Sequence, residues 1–119
     1  MKPTINYQDF EKMDIRVGEV VAASIPEWSN KLIKLEVDMG EEIGRRVLFS
    51  GIRKWYSPED MVGKKMSFVI NVAPKKMGDP STNSEQGGYS EGMLIMADSE
   101  DRPYLFFLPK AIKPGTVIR

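Results

Sequence analysis

From Ile33 to Met39 the chain alternates strictly between apolar and charged side chains. Ile33, Leu35, Val37 and Met39 take every second position, with Lys34, Glu36 and Asp38 between them. A period of two marks a strand with one face on a core and the other in water. The pattern recurs at Met66, Phe68, Ile70 and Val72, separated by Ser67, Val69 and Asn71. The segment "DIRVGEVVAASI" predicts a first strand from about Asp14, and Gly18 within it predicts a bulge or sharp bend. "RRVLFSGI" predicts a third strand, with Phe49 in phase with Val47 and turned to the core, and "GMLIMAD" a fifth. A last apolar run, Tyr104 to Leu108, is closed by Pro109.

Helical signals are few. In "SPEDMVG", Ser57 predicts an N-cap, Pro58 fits the first helical position, Glu59 and Asp60 fill the first turn and Gly63 is a stop. "YQDFEKM" predicts a further single turn near the start. Five short strands with one capped helix between the third and fourth match an all-β, five-stranded Greek-key barrel of the OB-fold type. A small SH3-like barrel or an immunoglobulin-like sandwich would also use short strands, but neither accounts for the helix at that place. The expectation is one domain over residues 1–119, with a long polar loop at 78–89 and a C-terminal extension from about residue 99.

The chemistry that this chain lacks narrows its function. It has no cysteine and no histidine, which removes disulfides, thiolate nucleophiles, the usual zinc ligands and the commonest general base. No paired acid and base stands out, so the reading is of a protein that is not an enzyme, with no cofactor, no metal and no catalytic residue. No apolar run approaches the roughly 18 residues that a membrane span needs, and "MKPTINYQDFEKMD" has no apolar segment of a secretory signal. A cytoplasmic, reducing setting is expected, with no membrane partner.

The formal net charge is zero, yet charge is segregated along the chain. Residues 1–42 carry 5 basic and 9 acidic side chains, residues 43–78 carry 8 and 2, and residues 79–119 carry 4 and 6. Such segregation can build a positive surface on a neutral molecule. OB barrels bind oligonucleotides around their second and third strands. Asn30, Lys31 and Lys34 lie at the start of the second strand, Arg45, Arg46, Arg53 and Lys54 flank the third, and Lys75 and Lys76 follow the fourth. Lysine and arginine supply the sequence-independent attraction to phosphates. Trp28, in the polar loop "PEWSNK", is the aromatic residue expected to be exposed for base stacking. Trp55 and Tyr56, just before the helix cap, are expected either to staple the helix or to plug the barrel end. A single exposed tryptophan favours recognition of a folded RNA by shape over coating of a single strand.

Six blocks carry a family likeness: "DFEKMDIRVGEV", "NKLIKLEVDMG", "LFSGIRKWYSPEDMVGK", "VINVAPKKMG", "SEGMLIMA" and "IKPGTVIR". Together they resemble the stand-alone tRNA-binding domain family, whose members include the C-terminal appendage of methionyl-tRNA synthetase, free dimeric tRNA-binding proteins and the export-related chaperone CsaA. The resemblance implies an OB barrel, often homodimeric, that binds tRNA without anticodon specificity, with a synthetase as a further partner. It also implies a tRNA-binding surface on Asn30, Lys31, Lys34, Ser50, Arg53, Lys75, Lys76, Ser90 and Met93. The pair Ser50-Gly51 resembles the synthetase-type branch more than the chaperone branch. The alternative it leaves open is a CsaA-like chaperone that binds extended polypeptide, to which eight methionines would lend an adaptable surface. A further alternative is a subunit that only docks on a larger complex.

Two features stand apart. In "VINVAPKKMG", Pro74 cannot donate to a strand ladder, so pairing is expected to stop there and to leave Lys75 and Lys76 at the barrel rim. The polar segment "GDPSTNSEQGGY" that follows departs from the family's short connection and reads as a mobile flap or a neutral insertion. The apolar run Tyr104, Leu105, Phe106, Phe107 and Leu108 exceeds what a half-wet edge strand requires. A two-fold dimer interface is the expected cover, the alternative being that it closes the end of its own barrel.

Overall fold

The computed structural model describes residues 1–78 and 87–119. In order, these form α1 (Tyr7–Glu11), β1 (Ile15–Ser24), β2 (Ile33–Asp38), β3 (Arg45–Ser50), α2 (Pro58–Met61), β4 (Lys65–Val69), β5 (Lys75–Met77), β6 (Gly88–Ser90), β7 (Met93–Leu94), β8 (Met96–Asp98), β9 (Pro103–Leu105) and β10 (Val117–Ile118). The main sheet runs β3-β2-β1-β4-β7, all neighbours antiparallel, with β10 added to β1. It curls into a nearly closed all-β barrel of the OB type, with α2 between the third and fourth strands as expected.

β1 belongs to both halves of the barrel. Its first half, Ile15 to Glu19, pairs with β4, and its second, Glu19 to Ser24, pairs with β2. The irregularity expected of this strand lies between Val20 and Ala22, where the β1–β2 register shifts, and not at Gly18. Gly18 answers a different demand. A Cβ there would lie 2.5 Å from Val37 Cγ1, 2.8 Å from Met39 Sδ and 2.9 Å from a Phe68 ring carbon. The backbone of β1 therefore passes directly against core side chains from β2 and β4, and any side chain would collide with both.

The alternation in β2 holds, with Ile33, Leu35, Val37 and the following Met39 fully buried. They pack with Leu48, Ile52, Met61, Met66, Phe68, Ile70 and Leu94 in a single cluster. Burying a large aliphatic or aromatic side chain contributes about 1.5–3 kcal/mol. In β3 the phase is opposite to the expectation: Leu48 and Ser50 point inward, whereas Val47 and Phe49 are half-buried on the outer face. β4 is also more enclosed than alternation predicts, since Ser67 and Val69 are buried along with Met66 and Phe68. It lies between β1 and β7 in the sheet. It ends at Val69, and Val72 is exposed.

The fifth strand of the sequence reading is broken into β7, which pairs with β4, and β8, which pairs with β9. The chain does not leave pairing at Pro74 either. Lys75 to Met77 form β5, a hairpin partner of β6 through Lys75↔Ser90, Lys76↔Tyr89 and Met77↔Gly88. Gly88 and Tyr89, expected in the polar loop, are strand residues. The expected flap falls on residues 79–86, outside the described residues.

α2 is capped as its sequence predicts. The Asp60 carboxylate accepts from the Ser57 backbone N–H at 2.9 Å and from the Ser57 hydroxyl at 3.1 Å. Gly63, at φ +82°, ends the turn, and its N–H donates to Val20 O at 2.8 Å, tying the helix to β1. α1 is wholly exposed and is capped by Asn6, whose side chain accepts from Asp9 N at 2.9 Å.

Two measurements test these assignments. Gly18→Ala is expected to destabilise the fold by about 1–3 kcal/mol through overpacking, read as a lower urea midpoint; unchanged stability would refute the close approach. Hydrogen bonds from Ser57 hold the Asp60 carboxyl below the usual carboxylate range. Its stabilising effect is therefore complete above about pH 4 and fades as the pH falls through its depressed folded value. The stability gap between wild type and Asp60→Ala should stay constant at neutral pH and close in acid. A gap independent of pH would exclude the carboxylate as the cap.

Candidate nucleic-acid interface

The outer face of β2 and β3 is set by register. Ile33 sits opposite Ser50, Lys34 opposite Phe49, and Leu35 opposite Leu48. Because Ile33, Leu35 and Leu48 point into the barrel, Lys34 and Phe49 share the outside. Phe49 is covered from two directions. Trp28, from the loop between β1 and β2, lies against it with ring centroids 5.4 Å apart and planes at 55°. From the other side β6 approaches so closely that a Cβ on Gly88 would be 3.0 Å from Phe49 Cζ. Trp28 is therefore half-buried and braced, not freely exposed, and Phe49 is its support and not a core residue.

Between the Trp28 loop and β5 runs an open groove of about 860 Å³. Its rim carries Asn30, Lys31, Arg53, Lys75 and Lys76, and Glu27 is the one acidic side chain among the described residues that line it. The loop is held in shape by hydrogen bonds that also place the rim. The Lys31 N–H donates to Ser29 Oγ at 3.1 Å, the Arg53 N–H donates to Lys31 O at 3.2 Å, and Arg53 Nη1 reaches Ser29 O at 3.4 Å. Strand pairing fixes Lys75 and Lys76 on the opposite side, where Lys76 Nζ lies 5.2 Å from the Tyr89 ring centroid. The groove thus gathers four cations from three distant stretches of sequence, around residues 31, 53 and 75–76.

Of the nine residues expected at a tRNA surface, five line this groove: Asn30, Lys31, Arg53, Lys75 and Lys76. Lys34 stands on the same outer face, beside Phe49, without lining it. Met93 is exposed on β7. Ser50 and Ser90 are buried, and the Ser90 hydroxyl is engaged in the fold, accepting from the Phe49 N–H at 3.1 Å and donating to Gly92 O at 3.2 Å. Arg46, grouped with the basic face from sequence, instead spans the barrel seam, with Nη1 3.4 Å from Ile70 O and 3.3 Å from Glu91 O. The sequence reading missed Met77 and Tyr89. They sit on a hairpin of three residues a side, too short to leave a periodic signal in the sequence.

A second cationic and aromatic cluster lies at the C-terminal extension. The Arg102 guanidinium stands 4.9 Å from the Tyr56 ring centroid and 5.3 Å from that of Tyr104, and Lys64 Nζ is 5.5 Å from the centroid of Phe107. Tyr56 packs against the core and its hydroxyl donates to Pro103 O at 2.9 Å. The Tyr104 hydroxyl donates to Asp101 at 2.6 Å, which pushes the phenol above its usual value and the carboxyl below its own. The apolar run 104–108 is covered only in part by its own barrel. Leu105 packs on the core and Leu108 joins Lys65 in an isolated bridge, whereas Tyr104, Phe106 and Phe107 remain 45%, 48% and 52% exposed.

Among the described residues no helix is long and apolar enough to cross a membrane, and no three acidic, histidine or cysteine side chains come together to hold a metal ion.

Comparison with known proteins accords with this geometry. The family model described as "Putative tRNA binding domain" matches residues 15–117. The methionine–tRNA ligase of Caldanaerobacter subterraneus subsp. tengcongensis is 40% identical over 114 residues, covering 96% of this chain and 16% of the ligase. The chain spans only 16–17% of the length of such curated relatives. Among solved structures, a MetRS-related protein from Pyrococcus horikoshii superposes with a TM-score of 0.86 at 34% identity, covering 99% of this chain and 100% of that one. The chaperone CsaA of Bacillus anthracis str. Ames superposes with a TM-score of 0.81 at 28% identity, covering 98% and 100%. A barrel with a basic groove beside its second and third strands, matched over nearly its whole length by these relatives, belongs to the tRNA-binding domain family.

Proposed function

We propose that this chain is a non-catalytic tRNA-binding protein that recognises tRNA through phosphate contacts and overall shape. The observation that carries the reading is the convergence of Lys31, Arg53, Lys75 and Lys76 on one groove of a molecule whose net charge is zero. Each cation that neutralises a phosphate releases a bound counterion, so a cluster of four supplies affinity that falls steeply with salt. Lys34, on the same outer face, extends the basic surface along β2.

A homodimer completes the proposal. Tyr104, Phe106 and Phe107 leave a contiguous stretch of sequence with aromatic side chains about half exposed, and a self-complementary interface would cover them. Two groove-bearing subunits on one rigid body would hold a single tRNA more tightly than either alone. The likeness to a segment of methionine–tRNA ligases supports action beside a synthetase in the cytoplasm, delivering or retaining tRNA in trans.

The likeness to CsaA favours a second reading, in which the groove takes extended polypeptide. The methionines give it little support. Met39, Met61 and Met66 are fully buried, and of the eight only Met77 lines the groove.

Binding of unfractionated tRNA across a salt series tests the reading. The affinity is expected to fall steeply between 50 and 200 mM salt, by roughly tenfold or more for four phosphate contacts, and Lys75→Glu/Lys76→Glu should lower it at least tenfold. Salt-insensitive binding of an unfolded peptide without RNA affinity would replace this reading with the chaperone. For the dimer, sedimentation of Phe106→Asp/Phe107→Asp should show a monomer where wild type shows a dimer. A wild-type monomer at micromolar concentration would refute the interface.

A further inference from the structure

The groove has more in it than a phosphate surface requires. Its lining includes Ile25, Pro26, Trp28, Leu32 and Met77 along with the basic side chains. Phosphate contacts alone ask for cations on a surface that follows a convex helix. An intact RNA helix keeps its bases stacked inside and has no flat apolar group to offer a concave floor.

An unpaired nucleobase does. Trp28 stands in the groove wall with Phe49 behind it, and the loop that carries it is fixed by the Ser29, Lys31 and Arg53 hydrogen bonds. The indole is therefore held in place before any ligand arrives, which lowers the entropic cost of stacking. Lys31 and Arg53 on one side and Lys75 and Lys76 on the other flank that floor, so a backbone crossing the groove meets cations before and after the base. Glu27 repels phosphate from its own position and offers a carboxylate that accepts from the exocyclic amino group of a base.

We propose that the groove takes one unpaired nucleobase of the bound RNA, stacked on Trp28, with the flanking phosphates held by Lys31, Arg53, Lys75 and Lys76. This rests on the RNA-binding reading and narrows its ligand to RNA with an accessible unpaired nucleotide, distinguishing it from plain duplex. The cationic rim favours a nucleotide over a polypeptide segment, which has no regular row of anions to match it.

The chain has two tryptophans, so Trp55→Phe leaves Trp28 as the sole indole reporter. That variant would be titrated with tRNA, with a short single-stranded RNA, with blunt duplex RNA and with an unfolded peptide. Binding would be followed independently by the anisotropy of a dye on each ligand. Saturable quenching of Trp28 by tRNA and single strand, with none by duplex, is the expected result. In the wild-type background, Trp28→Leu should weaken tRNA binding by roughly tenfold, the scale of one base–aromatic stack, while Trp28→Phe retains most of the affinity. Circular dichroism melts of both variants would separate lost stacking from lost folding. The proposal is overturned if tRNA binds without changing Trp28 emission, if a folded Trp28→Leu binds like wild type, or if duplex competes as well as tRNA. Quenching by the peptide but by no RNA would overturn it together with the RNA-binding reading, whereas tRNA binding with silent Trp28 would overturn this inference alone.

Discussion

The seam along the free edge of β3 is the constraint on which the basic groove depends. β2 satisfies one edge of that strand, and among the described residues no full ladder satisfies the other. Side chains and single backbone bonds close it instead. The Val47 N–H donates to Glu91 Oε1 at 2.9 Å, the Glu91 N–H donates back to Val47 O at 2.8 Å, and the Phe49 N–H donates to Ser90 Oγ at 3.1 Å. Arg46 reaches across to the carbonyls of Ile70 and Glu91. An open edge here would leave buried backbone groups unpaired, at a cost of about 1–3 kcal/mol each, and would expose the strand to foreign pairing.

The same seam positions the groove. Ser90 is the last residue of β6, so fixing its hydroxyl on the Phe49 N–H also fixes the β5–β6 hairpin beside the barrel. Gly88 lets that hairpin lie against the Phe49 ring, and Phe49 in turn braces Trp28. Lys75 and Lys76 are thereby set across from Lys31 and Arg53. The resemblance implied that Ser90 belongs to the binding surface. The buried geometry gives it a supporting part, holding in place the strand that presents the lysines.

Zero net charge does not weaken a site of this kind. The acidic side chains of residues 1–42 are partly committed elsewhere, as where Asp14 and Glu42 pair with Arg16 at 2.7 and 3.3 Å. Among the described residues that line the groove, Glu27 is the one acidic side chain facing its cations. What steers an anionic ligand is the local field near the groove, because beyond roughly 8 Å salt screens the remainder at physiological ionic strength.

Period-two alternation by itself determined β2, and the grouping Ser57, Pro58, Glu59, Asp60 and Gly63 determined α2 and its place in the order. These are local signals: strand geometry alternates side chains, and a cap satisfies backbone groups within one turn. The barrel class followed from them and from the family likeness, and the likeness also named five residues that line the groove. Only the tertiary structure decided the phase of β3, because Val47 and Phe49 are as apolar as Leu48 and their burial depends on which face β2 leaves free. It also decided the purpose of Gly18, which is set by Val37, Met39 and Phe68 from distant strands and by no local turn. The β5–β6 hairpin is three residues on each side and joins segments separated by a polar stretch, too short for periodicity to detect. The groove is likewise non-local, since Trp28, Arg53 and Lys75 meet only when β1, β3 and β5 are folded together.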